Sequence, residues 1–295
     1  MAQSAISRFV PEETCFFWES DFMPKVNVLV LTGYGTNSHK ETAHAARLAG
    51  ADKADIVHFA DLVAGDVKLS DYNFLVFPGG FLDGDDLGAG QAGAKRWLYL
   101  DDATGTPLLR RLETFIRDGG LLLGICNGFQ LLVKLGILPG LKSTPAGPVF
   151  ERQVTLGNND SARFEDRWVE LRANPASPCV FTKGISSPLD MPVRHGEGKL
   201  VARDQAVLDA IVARNLIALQ YADPSTHEPT QNYPANPNGS PLGIAGLTDP
   251  TGHVLGLMPH PEAFNHPTNH PNWTRGQTSP LGIALFENAV NALRN

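Results

Sequence analysis

The sequence predicts an α/β domain, a mostly parallel sheet with helices on both faces and antiparallel strands added to it. Three observations carry this reading. Near-continuous apolar runs at residues 26–31 and 121–125 fit strands buried on both faces, as in parallel sheets. Up to about residue 140 such runs alternate with helical segments, the order of successive β-α-β units. Polar, glycine-rich clusters follow these strands, at the carboxyl ends where ligands gather in this architecture.

The elements follow in order. Strand 26–31 runs into the turn residues of TGYGTN, and Ser38 with Glu41 has capping-box spacing ahead of a helix over 41–48. A second strand is expected over 54–59 and a third over 72–77, closed by Pro78-Gly79-Gly80. Gly84, Gly88, Gly90 and Gly93 fit a solvated loop, because no G-x-G-x-x-G follows a strand there to support dinucleotide binding. Thr106-Pro107 starts a helix that runs to about Asp118, with proline at its first position. Strand 121–125 and helix 127–135, stopped by Gly136, follow directly.

Beyond residue 140 the pattern changes. Short strands are expected at 154–156, 168–171, 216–221, 244–248 and 254–258, with helices scarce until 281–293. Asp249-Pro250-Thr251-Gly252 is a hairpin turn, and 223–242, rich in Pro, Asn and Ser, is a long loop. No boundary divides the chain, so residues 1–24 are an N-terminal extension and 25–295 one domain.

Composition excludes several classes of function. Of 295 residues 42% are hydrophobic and 19% charged, as in an ordinary globular protein. A formal net charge of −7 disfavours nucleic acid as the main partner. No apolar run approaches the roughly 20 residues that span a membrane. The start lacks the basic region and apolar core of a signal peptide, and three unpatterned cysteines (Cys15, Cys126, Cys179) suit a reducing compartment. A cytoplasmic location is expected. His253, His260, His266 and His270 cluster, but intervening prolines forbid helical ligand pairing, and no metal site is expected.

The chemistry concentrates in Gly124-Ile125-Cys126-Asn127-Gly128, which joins a buried strand to a helix. This is a nucleophile elbow with cysteine in place of serine. The tight turn demands small neighbours, and the helix N-terminus favours a thiolate. A buried structural cysteine is the bland alternative, and glycines on both sides argue against it. A thiol needs a base, and the base an orienter. Met258-Pro259-His260-Pro261-Glu262 supplies both, its prolines favouring an extended backbone that sets His260 and Glu262 on one face. Cys126, His260 and Glu262 are therefore the candidate catalytic triad. The backbone N–H groups of Gly80 and Asn127 are the candidate oxyanion hole.

Together GICNGFQ, PGGF followed by Gly84-Asp85, and MPHPE resemble class I glutamine amidotransferases. Gly35-Thr36-Asn37, His195-Gly196-Glu197-Gly198 and Asn236-Pro237-Asn238-Gly239-Ser240 narrow the resemblance to the glutaminase subunit or domain of phosphoribosylformylglycinamidine synthase. It spans residues 25–294. The resemblance implies the flavodoxin-like class I amidotransferase fold and hydrolysis of L-glutamine through a cysteinyl thioester. Ammonia would pass to a synthetase large subunit, with or without a small third subunit, for ATP-dependent amidine formation in de novo purine synthesis. It implies that Phe81, Gln130, His195, Gly196 and Glu197 line the glutamine pocket and that Asn236, Asn238 and Ser240 lie near the partner. No cofactor is expected in this chain, and ATP and Mg belong to the partner. The chain departs from the family pattern at Tyr34, at Ser38 and at Ala263 after PHPE, none of them a triad position. Three other readings compete: a glutaminase serving another synthetase, a DJ-1/PfpI-like elbow-cysteine hydrolase, and a non-catalytic regulatory subunit. Glutamine turnover and labelling of Cys126 by a glutamine-analogue electrophile separate them.

Overall fold

The structure is a computed structural model that describes residues 23–144, 147–276 and 279–295. The N-terminal extension and Cys15 lie outside these residues, except for the extension's last two positions. Five parallel strands form the first part of a nine-stranded sheet: β1 (Asn27–Thr32), β2 (Lys53–His58), β3 (Phe74–Phe77), β4 (Leu121–Ile125) and β11 (Val254–Leu257), ordered β2-β1-β3-β4-β11. Every residue of β3, β4 and β11 is buried, as their unbroken apolar runs require. From β11 the sheet continues through antiparallel β10 (Ile244–Thr248), β9 (Ile217–Ala222), β6 (Glu165–Ala173) and β7 (Leu189–His195). The Asp249–Gly252 turn joins β10 to β11, with Gly252 N–H donating to Asp249 O. A separate antiparallel pair joins β5 (Val154–Gly157) to β8 (Lys199–Ala202).

Helices cover both faces, and β3 shows how. Side chains of a strand alternate between faces, so Phe74 and Phe77 point oppositely. Phe74 meets Phe286 of α7 (Ala284–Arg294) at a ring separation of 6.2 Å, and Phe77 meets Trp97 of α3 (Gln91–Tyr99) at 5.5 Å. α1 (His39–Leu48) packs on β1, β2 and α7, and α5 (Asn127–Leu135) on β3, β4, β11 and α3. In α4 (Leu108–Arg117) the buried Leu108, Leu112, Phe115 and Ile116 fall at helical spacing on one face.

Several expectations are corrected. Ser38 makes no capping bond, because its hydroxyl donates instead to Gly79 O at 3.3 Å. Pro107 is the residue before α4 rather than its first turn, with an extended ψ of 130°. The glycine-rich stretch is loop only as far as Gly90, whose φ of 74° turns the chain into α3. Two further helices, α2 (Phe59–Ala64) and α6 (Gln205–Ala213), and strands β7 and β8 were not expected from the sequence.

Candidate active site

Cys126 occupies the junction between β4 and α5 with φ 50° and ψ −103°, a strained conformation for a residue with a side chain. Its neighbours explain how the chain tolerates it. A methyl on Gly128 would lie 1.9 Å from Phe77 O, and one on Gly124 would lie 2.6 Å from Leu132 and 2.8 Å from Gly128 O. Only glycine fits at either place. Cys126 N–H donates to Leu257 O at 2.7 Å, tying the elbow to β11.

β11 delivers the rest of the triad candidates. His260 Nδ1 and Glu262 Oε1 are 2.6 Å apart, both side chains buried. The backbone differs from the extended segment expected: Pro261–Ala263 form a 3₁₀ turn, and the turn brings Glu262 under the ring. His260 N–H donates to Pro192 O at 2.9 Å, which fixes the loop against β7. Burial works against a charged imidazole at His260. The Glu262 carboxylate and then the Cys126 sulfur outweigh it and hold the pKa well above the ordinary histidine value. With Nδ1 directed at Glu262, Nε2 is the nitrogen left for the thiol, and among the described residues no other group bonds it. The sulfur itself lies 3.6 Å from Arg194 O, within reach of a weak S–H donation.

The Pro78–Phe81 loop closes on this pair. A methyl on Gly79 would lie 2.7 Å from His260 Cε1, so glycine lets the loop pack against the imidazole. Asn127 Oδ1 accepts from Leu82 N–H at 3.0 Å, holding loop to elbow. Among the described residues no protein acceptor takes the N–H of Gly80 or Asn127, so both remain free to donate to a ligand.

A cleft of about 400 Å³ opens beside Cys126, lined by Gly80, Phe81, Gln130, His195, Gly196 and Glu197 among others. All the expected pocket residues therefore meet at one wall or another. Phe81 is 46% exposed at the mouth. Gln130 also braces the framework, since its Nε2 donates to Glu197 O at 2.6 Å and its Oε1 accepts from Asn127 Nδ2 at 2.9 Å. His195 is buried, and Asn159 Oδ1 accepts from both Gly198 N–H and His195 Nδ1. Nε2 is thus the bare nitrogen. Burial, helped by the charge on His260, lowers the His195 pKa to about 4, so the ring is neutral.

Asn236, Asn238 and Ser240, expected near the partner, lie beneath the His195–Gly198 loop. All three are buried at 1% exposure or less. Their hydrogen bonds are spent within the chain: Asn236 Nδ2 donates to Ser240 O, Asn238 Nδ2 to Tyr221 Oη, and Ser240 Oγ accepts from Leu200 N–H. The segment is a scaffold under Gly198, whose carbonyl accepts from Ser240 Oγ at 3.4 Å. Asn159, Phe164 and Arg194 escaped the sequence reading. The first is the buried bracket of the His195–Gly198 loop, and the other two line the cleft. A polar Asn158-Asn159-Asp160 turn after a strand was the one available signal.

No helix among the described residues is long and apolar enough to cross a membrane, and none of their acidic, histidine or cysteine side chains group as a metal site. Comparison with known proteins gives a consistent picture. Residues 25–292 match the model of the CobB/CobQ-like glutamine amidotransferase domain. The chain is 40% identical over 275 residues to the phosphoribosylformylglycinamidine synthase subunit PurQ of Dehalococcoides mccartyi, covering 92% of this chain and 99% of that one. It is 43% identical over 251 residues to the protein of that name from Methanococcus maripaludis, covering 85% and 87%. Among solved structures it resembles a chain in the structure of PurLQS from Thermotoga maritima, with TM-score 0.64, 26% identity and coverage of 92% and 100%.

Proposed function

The chain belongs to the CobB/CobQ-like glutamine amidotransferase family, and from that premise we propose that it is the glutaminase subunit of phosphoribosylformylglycinamidine synthase, with Cys126, His260 and Glu262 as its triad. The observation that carries the assignment is the strained Cys126 elbow set beside the buried His260–Glu262 pair, whose Nδ1 and Oε1 are 2.6 Å apart, with all three residues lining one cavity.

In this mechanism the thiol proton rests on His260 Nε2, leaving a Cys126 thiolate paired with the imidazolium, and the thiolate attacks the side-chain carbonyl carbon of glutamine. The N–H groups of Gly80 and Asn127 receive the oxyanion. His260 then returns its proton to the departing nitrogen, the C–N bond breaks, and ammonia leaves a γ-glutamyl thioester on Cys126. Water, deprotonated by His260, attacks the thioester, and glutamate departs as the thiol is restored. Glu262 fixes the tautomer and steadies the imidazolium. The ammonia goes to synthetase subunits, an arrangement supported by the resemblance to a chain of a PurLQS assembly. ATP, Mg and the formylglycinamide ribonucleotide bind those subunits, a small third subunit belongs to the assembly, and the complex works in the cytoplasm.

The test is glutamate release from glutamine, with and without the synthetase subunits, ATP and ribonucleotide. Strong stimulation by the complete mixture is expected. Cys126→Ala should cut glutamine-dependent synthesis about a thousandfold or more, while free ammonia still supports it. Undiminished glutamine-dependent synthesis by that variant would show that the triad is misassigned.

A further inference from the structure

A groove of about 700 Å³ lies at the amino ends of β3 and β4, the opposite end of the parallel strands from Cys126. Its floor is apolar. Leu62, Leu69, Leu108 and Phe115 are buried there, with Val67 and Leu293 partly so. Two glycines shape one wall. A methyl on Gly120 would lie 2.5 Å from the Phe115 ring, so glycine lets that ring rest on the backbone. A methyl on Gly119 would meet nothing within 4 Å, which leaves the space beside it open. Arg111, on the rim, is paired with Asp102 at 2.8 Å. Lys68, also on the rim, has no ion pair among the described residues.

The chain enters the described structure beside this groove. Asn73 lines the groove, and its Nδ2 donates to Lys25 O at 2.8 Å while its Oδ1 accepts from Asn27 N–H at 2.9 Å. Residues 1–22 come just before that tether, and their composition departs from the rest of the chain. Phe9, Phe16, Phe17, Trp18 and Phe22 make five aromatics in 22 residues, against 8% overall. Glu12, Glu13, Glu19 and Asp21 outnumber Arg8. Such side chains gain by leaving water, and an apolar floor with an unpaired lysine at its rim matches both their apolarity and their charge. Reach is sufficient, since Phe16 is seven residues from Met23, up to roughly 25 Å of extended chain. A tethered segment also avoids most of the entropy that a separate partner would lose on binding.

We propose that the segment around residues 15–18 docks in this groove, its aromatic rings on the floor of Leu69, Leu108 and Phe115 and its acids toward Lys68. Docked there, it braces α2 and α4 against the amino ends of the strands. The cleft beside Cys126 lies at the other end, so the segment acts on stability and leaves glutamine capture alone.

Cys15 supplies a native probe. Chains spanning residues 1–295 and carrying Ser70→Cys, on the groove rim, or Ser225→Cys, on the loop after β9, are treated with oxidised glutathione in dilute solution. Peptide mass spectrometry follows the disulfide between Cys15 and the introduced thiol. Both positions are exposed, so both variants should fold. Docking raises the local concentration of Cys15, and Ser70→Cys should form its intramolecular disulfide about tenfold or more faster than Ser225→Cys. Replacing Phe16, Phe17 and Trp18 by serine should remove that advantage. Equal rates at the two positions, or an advantage that survives the serine replacements, overturns the proposal. A disulfide forming preferentially between two Ser70→Cys chains also overturns it, and assigns the groove to a second copy.

Discussion

Two buried histidines near one thiol are driven in opposite directions. His260 is held up by Glu262 and Cys126 despite its burial, while His195 is held down to about 4 by burial and by the charge on His260. The unfolded chain protonates His195 below its ordinary value of 6.5, but the native state resists until about 4. Stability from this group is therefore complete above pH 6.5 and is lost as pH falls toward 4, by up to about 3 kcal/mol. His260 behaves inversely. It is protonated in both states in that window and its contribution declines only as pH rises through its elevated folded value. Urea unfolding at pH 6.5 and 4.5 should show a fall in the wild type that is about 2 kcal/mol smaller in His195→Gln. Equal falls would mean that His195 already carries its proton in the native state. At this scale the sequence was most readable where a turn has few solutions. The glycines around Cys126 announce an elbow, and two prolines around His260 mark a constrained loop. Asn159 left only a polar turn as its trace, because its role is set by groups that reach it only after folding.

At the scale of elements, the β4–α5 unit depends on one missing methyl group. Gly128→Ala sets a carbon 1.9 Å from Phe77 O, so α5 or β3 must shift. A loss of about 3 kcal/mol is expected, since the obstructing atom is backbone, and the Cys126 turn should relax with it. Denaturant melts and the rate of Cys126 alkylation would measure both, and an Ala variant with wild-type melting would show that the junction yields more easily than its packing implies. The buried strands were legible because an unbroken apolar run has one good use in such a sheet. α3 was not. Gly90 and Gly93 weaken helix propensity, yet they allow close approach to Leu131 of α5 and to Leu82. β7 was hidden by Pro192, which a strand tolerates at a sheet edge, where among the described residues β7 has β6 as its only strand neighbour. α6 carried a readable signal, Asp204 capping Val207 N–H ahead of an apolar run, but its setting among short strands disguised it.

Across the whole molecule, the last helix secures the first strands. Phe286 of α7 is fully buried against Phe74, and Arg294 donates to Gly50 O at 2.7 Å. Phe286→Ala should cost about 3–5 kcal/mol, and faster hydrogen exchange should spread into α1 and β3 as well as α7. Exchange confined to α7 would mark that helix as an independent unit. The sheet order was not written in the sequence, because periodicity identifies strands without naming their neighbours. One neighbour matters particularly. β4, which leads into Cys126, lies directly beside β11, which leads into His260 and the turn holding Glu262, although most of the antiparallel half of the protein is encoded between them. During synthesis on the ribosome, Cys126 emerges long before His260, the base proposed for it. A nascent or prematurely terminated chain carries the thiol without the histidine and without the Leu257 carbonyl that anchors the elbow. On the proposed triad such fragments lack the base, so the reactive centre comes into being only after β11 and the turn that follows it have been made.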